Sequence, residues 1–449
     1  MDSNTVASIG SPERMKQRVS WIVEIESNKE RYVHEEKQRA TIQKAPWTFR
    51  DIDSNKKCFD PMVIAIGPLH HGKPKLERME TFKIQFALQY ADQSNKSMEE
   101  LYDAVETQAV DARNCYAKGS TDAFDDKEFA KMMFLDSCFV LQFIYNYVKR
   151  TKDDVKMKRK DKEFIIRDIT LLENQLPYEF LKPLMKLRFE GGEGEQMIDD
   201  FITQIMQDPH EENARCWKNC WNSKPDPKPK GDEKEKEEPV HLLELVRTKF
   251  VDVDEITRGS CDSSSNWCPY RSVTELKSVG INFKCSHSRR FSDISFKSGC
   301  LSGCLRLPPI TIDDVTKSLL LNLVAWEACL GTLDDFRVSS YVYLMDTLID
   351  HAEDVKELRY KGVILNMLGS DEQAAELFNE ISTNLVSNPE AFGKVKKSIY
   401  GYYNSRLRLW LAEWVHAHFR SPWALIAFIA AILALGLTLA QTVFSAIQL

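Results

Sequence analysis

The feature that most constrains this chain is its last stretch, Pro422 to Leu449, which carries no charged residue. From Trp423 to Ala440 nearly every side chain is apolar, with Thr438 the exception. About 20 such residues in a helix rise roughly 30 Å, the thickness of a bilayer core. A core helix of a soluble protein would be shorter or would carry a polar stripe. The stretch is therefore expected to be a transmembrane helix over 422–447. Its anchor residues are Trp423, Leu425, Ile426, Phe428, Ile429, Ile432, Leu433, Leu435, Leu437 and Leu439. Trp423 suits the interfacial aromatic belt.

The flanks predict orientation. Arg406, Arg408 and Arg420 precede the span, with His416 and His418 among them, and nothing basic follows it. The positive-inside bias places the body in the cytosol. The first residues, MDSNTVASIGSPERMK, lack the apolar core of a signal peptide. The expected protein is single-pass and tail-anchored, its partner there the lipid bilayer. Plasma membrane and endomembrane remain equal alternatives.

Composition limits the rest. With 43% hydrophobic and 28% charged residues over 449 positions, most of the chain is globular. Sixty basic against 67 acidic residues give a net charge of −7, so no nucleic-acid partner is expected. The eleven cysteines are dilute. Cys216 and Cys220, and Cys300 and Cys304, have three residues between them; Cys261 and Cys268 have six. None is a tight zinc-ribbon pair. Reduced, partly buried thiols are the expectation, with a structural metal or a disulfide as the alternatives.

The patterning predicts a mainly α protein: a large helical body with a few short strands, including a hairpin, and the C-terminal span. Residues 1–43 read as a charged arm. Residues 44–420 form the body, with flexible insertions near 149–163, 190–196, 222–239 and 257–267. The 224–238 segment, KPDPKPKGDEKEKEE, has nothing apolar to bury. Phe59 to Pro68 reads as a short strand or extended segment, and Leu69 to Pro74 as a turn. Helical periodicity runs from Leu76 to Ala117, from Phe129 to Val148 and from Phe164 to Phe189. The second of these is apolar on most faces, so it belongs at the centre. Phe291 to Phe296 and Cys300 to Ile310 read as a hairpin. Thr311 or Asp313 can cap the helix bearing Val315, Leu319, Leu323 and Trp326. Ser370 to Gln373 reads as a capping box, with Gly369 closing the helix before it.

No Walker loop, GxGxxG, HExxH, GxSxG or EF-hand loop is present. Three places could carry chemistry. His70-His71 could bind a metal or act as a base, although adjacent side chains of an extended chain diverge. Glu173-Asn174-Gln175, before Leu176-Pro177, could line a pocket or satisfy backbone groups where the helix breaks. Asp136, inside the apolar helix, needs a lysine, arginine or tyrosine from another element if buried.

Several blocks together resemble a plant-specific family, domain of unknown function 247, also called UPF-0481. They include Ile66-Gly67-Pro68-Leu69-His70-His71-Gly72-Lys73-Pro74, Phe134 to Val140, and Asp168 to Pro177. Others are His241 to Arg247, Thr274-Glu275-Leu276, Leu307-Pro308-Pro309-Ile310, Asp354-Val355, Leu368 to Glu372 and Pro422-Trp423-Ala424. They run in the family's order from about Lys44 onward. One departure is Ala45 to Arg50, which stands where members often have an Ile-x-Arg-Val-Pro-like opening. The resemblance implies a membrane-anchored plant protein without an established catalytic residue set. Some grass relatives are implicated in self-incompatibility, a role that concerns those members.

The leading expectation is thus a non-enzymatic, membrane-tethered body that binds another protein, with no cofactor, metal or small-molecule ligand assigned. The runner-up is a membrane-attached enzyme with a pocket around His70, His71 and Glu173. A third is a metal-dependent body using His70, His71 or the Cys216/Cys220 pair.

Overall fold

The computed structural model describes residues 42–151, 157–206, 238–251, 271–286, 288–299, 302–330, 336–388, 391–404 and 422–447, together with Val23. The expected insertions at 222–239 and 257–267 lie almost wholly outside these residues, as do Cys216, Cys220, Cys261, Cys268 and Cys300.

The N-terminal half is a helical cluster. A single turn, α1 (Trp47–Arg50), leads through an extended segment to α2 (Glu77–Ser94), α3 (Met98–Glu106) and α4 (Ala109–Asn114). The periodic run from Leu76 is thus three helices. Asn95 takes a left-handed conformation (φ 53°) that ends α2, and Ser97 and Glu100 form a capping box that starts α3. The central helix is α5 (Asp126–Lys149), opened by the Asp125/Glu128 capping box. Its Phe129, Met133, Phe139 and Ile144 are almost fully buried, as its apolar circumference predicts. Around it pack α2, α3 and α4, then α7 (Tyr178–Arg188) and α8 (Glu193–Met206).

Two expectations change here. The charged stretch at 149–163 already contains the start of α6 (Arg159–Ile169), and α8 begins within 190–196. Gly191 and Gly192 have positive φ and make the turn, but Gly194 belongs to α8. A Cβ there would sit 3.0 Å from the Met185 Cβ, so this glycine permits α7 and α8 to approach. The pattern from Phe164 to Phe189 also splits. α6 stops at Ile169 and α7 starts at Tyr178, because Pro177 cannot continue a helix and side chains take over the loop's hydrogen bonds.

The C-terminal half mixes helices with two small sheets. After α9 (Leu242–Phe250) and α10 (Val273–Ser278) come β1 (Ile281–Cys285), β2 (Ser295–Ser298) and β3 (Gly303–Leu307). β3 is central, antiparallel to β2 and parallel to β1. The expected hairpin is therefore β2–β3, although it starts at Ser295. Phe291 instead stacks on Tyr341 at 3.9 Å between centroids. β4 (Ile310–Ile312) pairs in parallel with β5 (Ile364–Asn366) across α11 (Thr316–Leu330), α12 (Arg337–Leu348) and α13 (Ala352–Tyr360). Asp313 accepts the Val315 and Thr316 amides at the head of α11. Ser370 caps α14 (Asp371–Ile381), but Gly369 follows β5 rather than closing a helix. Its amide donates to the Gln373 side chain.

α15 (Gly393–Tyr403) completes the body, and the apolar helix α16 (Pro422–Ile447) follows. Buried side chains from Ile42 to Tyr402 form one hydrophobic cluster. Ile42, at the edge of the expected arm, is fully buried and bridges to Tyr116.

Candidate functional site

The polar residues singled out by sequence, His71 apart, converge on one place, around the loop 170–177 and the extended segment 59–68 that runs beside it. Phe59 to Pro68 has the composition of a strand but no partner strand among the described residues. Its amides find side chains instead. Asp168, at the end of α6 and fully buried, accepts from the amides of Met62 (2.9 Å), Val63 (2.8 Å) and Ile64 (3.1 Å). Asn174 mimics a backbone neighbour: its Oδ1 accepts from the Ile66 amide at 2.7 Å and its Nδ2 donates to the Ile64 carbonyl at 3.1 Å. Asp136 accepts from the Gly67 amide at 2.8 Å. Four amides thus reach two carboxylates and a fifth reaches a carboxamide, so no segment amide from Met62 to Ile64 is left bare. Burial raises the Asp168 carboxyl above its usual range, with the amides and Arg167 offsetting part of the effect.

The loop itself is held from within. Gln175 Nε2 donates to the carbonyls of Ile169 and Leu171, while its Oε1 accepts from the Leu243 amide on α9. Asn322 of α11 accepts from the Leu172 amide and donates to the Cys58 carbonyl. At Gly67 the two segments lie close together. Its φ of +72° favours glycine, and a Cβ would lie 2.8 Å from the Tyr116 hydroxyl and 2.9 Å from the Gln175 carbonyl.

The third loop residue faces a charged cluster. Glu173 Oε1 accepts from the Ala45 amide and from Arg50 Nη1, each at 2.9 Å. Its Oε2 lies 3.4 Å from His70 Nε2. Arg50 also binds Asp60 at 2.8 Å, and Lys73 reaches His70 Nδ1 at 2.6 Å and Asp60 at 3.4 Å. Burial lifts the Asp60 carboxyl, but Arg50, Lys73 and His70 outweigh it and hold the group below the usual carboxylate range. The departure at Ala45 to Arg50 is therefore tied directly to the loop: Phe49 is buried and Ala45 and Arg50 both contact Glu173.

His70 and Glu173 are brought together; His71 is not. It is an edge-on neighbour of Phe124 at 5.6 Å. Asp136 has the lysine its burial required. Lys83 of α2, itself fully buried, lies 2.5 Å from Asp136 and 2.8 Å from Glu80. Burial works against the Lys83 ammonium, but Asp136 and Glu80 outweigh it and hold its pKa above the ordinary lysine value. Among the described residues, no group of three or more His, Cys, Asp or Glu side chains is placed to hold a metal. The described surface hollows are lined by residues between Arg271 and Asn404, away from His70 and Glu173.

Sequence reasoning missed a further buried carboxylate. Glu327 of α11 binds Arg247 of α9 at 2.9 Å and accepts from the amides of Val338 and Ser339, so it anchors the start of α12. The available signal was one acid in the run from Leu319 to Ala328. It also missed His241, whose Nδ1 caps α9 by accepting from the Glu244 amide.

Of the anchor residues, those from Ile426 to Leu439 line an exposed apolar rod. The window Ile426–Val443 has a mean hydropathy of 2.2 and none of it is buried against the body. This helix is long and apolar enough to cross a membrane. The side chains of Trp423 and Leu425 lie outside the described ones.

Fold and site together define a class: an α-rich body with two small sheets, organised by a buried polar loop and followed by one bilayer-length apolar helix. The chain belongs to the domain of unknown function 247 family, described as "Plant protein of unknown function", which it matches over residues 42–437. It is similar to two UPF0481 proteins of Arabidopsis thaliana. One is 24% identical, over 86% of this chain and 87% of the relative. The other is 26% identical, over 90% of this chain and 86% of the relative. No solved structure matches it.

Proposed function

We propose that this protein is a membrane-tethered recognition module: α16 fixes it in a bilayer, and the helical body, on the cytosolic side, binds another protein. The observation that carries the reading is the apolar window Ile426–Val443, none of which is buried among the described residues. Exposing so much apolar area to water is costly, and lipid removes that cost. Arg406, Arg408 and Arg420 before the span support the cytosolic side. The polar residues of the body support a non-catalytic role, since Asp136, Asp168, Asn174 and Gln175 are all engaged with backbone or with Lys83. Exposed Trp47 and Tyr360 offer aromatic contacts to a partner.

Alkaline carbonate should leave the full-length chain in the membrane pellet, and protease added to intact vesicles should digest an N-terminal tag. Release by carbonate would remove the tether; a protected tag would reverse the topology. Recovery of a reproducible protein partner in mild detergent tests the binding half. The enzyme reading retains one supporting contact, His70 to Glu173 at 3.4 Å, without His71 beside it.

A further inference from the structure

The chain is acidic as a whole, but one part of its surface is not. Against a net charge of −7, residues 149–163 hold eight Lys or Arg and four acids. The described cations there are Lys149 and Arg150 at the end of α5, and Lys158, Arg159 and Lys160 at the start of α6, all exposed. The two groups stay together: the chain from Thr151 to Met157 can span no more than about 20 Å. Both are seated on the body, since Val148 and Met157 pack against the hydrophobic core. The acids nearby are already engaged. Asp161 takes Arg78 at 3.2 Å, and Glu163 pairs with Arg159 at 3.5 Å in an exposed contact worth little. Lys149, Arg150, Lys158 and Lys160 have no ion pair with a described acid, and Lys160 lies over the Phe164 ring at 5.3 Å. Fold stability does not account for the α6 group. No side chain caps that helix, and cations at a helix N-terminus are repelled by the positive end of its dipole.

We infer, building on the tethered reading above, that this cationic patch docks on the anionic lipid surface of the membrane that holds α16, and so fixes which face of the body meets the bilayer. Charge selects the occupant. The patch is an open, exposed surface rather than a hollow, so it suits a sheet of headgroups better than one small anion. Each Lys or Arg close to an anionic leaflet strengthens attachment about fivefold. Neighbouring cations within a Debye length of about 8 Å act together. The remainder of the chain is net acidic and is repelled by the same leaflet, which gives the attraction a direction. Reach agrees with charge. Only residues 405–421 separate α15 from α16, and even fully extended they span about 60 Å. The tether therefore keeps the patch close to the cytoplasmic leaflet, which is the anionic one.

Lysine acetylation of the full-length chain in nanodiscs, read residue by residue, tests this. Discs of phosphatidylcholine are compared with discs that also contain phosphatidylserine. Lys149, Lys158 and Lys160 should acetylate about tenfold more slowly in the serine-lipid discs. Lys118 and Lys356, exposed elsewhere on the body, should not change. High salt should erase the difference. The K158E/R159E/K160E variant should lose the protection at Lys149. Acids suit a helix N-terminus, so the urea midpoint of this variant should equal or exceed that of the parent chain. Equal acetylation in the two disc types overturns the inference and leaves the anchor intact, the patch then falling to an acidic protein. Equal slowing at Lys118 and Lys356 overturns it too, since the attraction would be diffuse. Protection of Lys149 that survives the charge reversal overturns it as well. A chain that fails to enter the discs overturns the anchor and the docking surface together. Should the variant not fold, the wild-type comparison alone decides.

Discussion

At the scale of single residues, position rather than identity decides what each polar group does. His241 shows it most simply. Burial against Trp326, at 4.3 Å between ring centroids, pushes its imidazole down to about 3, and its unprotonated Nδ1 is the cap of α9. In the unfolded chain an ordinary histidine protonates near 6.5. The native state thus refuses a proton that the unfolded state accepts. The stabilisation is complete above pH 6.5 and drains away as pH falls from there toward 3, by about 1.4 kcal/mol per unit. Urea midpoints of the full chain in mild detergent should fall between pH 7.5 and 5.5 (each roughly one unit from the histidine value). His241→Asn, which keeps a cap but cannot titrate, should flatten that slope. Gly67→Ala should cost about 3 kcal/mol, from the left-handed backbone and the collision with Tyr116 and Gln175. An unchanged urea midpoint would mean that the segment moves away freely.

At the scale of elements, the segment 59–68 behaves as a strand whose neighbour is built from side chains. Asp168→Ala removes the acceptor for three amides and should destabilise by about 3–5 kcal/mol, whereas Asp168→Asn, keeping one oxygen, should cost clearly less. Equal effects would show that the amides find water. The α2–α5 contact depends on the Lys83–Asp136 pair in the same manner. Lys83→Met leaves a buried carboxylate unpaired, a loss of about 3–5 kcal/mol. Adding Asp136→Asn should recover part of it, because Asn can still accept from Gly67, and a double-mutant cycle measures the coupling. Helix caps and apolar stripes at this scale were legible because they are local. The stop at Ile169 and the two parallel sheet pairings were not, since each depends on a partner far along the chain.

At the scale of the whole molecule, the body buries its apolar side chains in its own core, whereas the apolar rod leaves them exposed. A charge placed at the middle of the rod, as in Leu433→Arg, costs about 3 kcal/mol in a bilayer centre. The variant should shift toward the carbonate-soluble fraction; retention equal to wild type would argue that α16 does not sit in hydrocarbon. Buried side chains from Ile42 to Tyr402 belong to one cluster, so the loop substitutions above should lower a single unfolding transition of the body, and two separate transitions by calorimetry would show that its halves unfold independently.

What could be read along the chain is what depends on near neighbours: the bilayer-length rod, the central apolar helix, the caps at Asp313 and Ser370, and the need of a buried Asp136 for a cation. Tertiary structure alone decided which cation that was, why His70 meets Glu173 while His71 does not, and how Glu327 and Arg247 came to share a burial site. The physical reason is range. Periodicity and capping act over a few residues, whereas a buried charge is satisfied by whichever group the fold delivers, often more than a hundred positions away, as Ala45 is to Glu173.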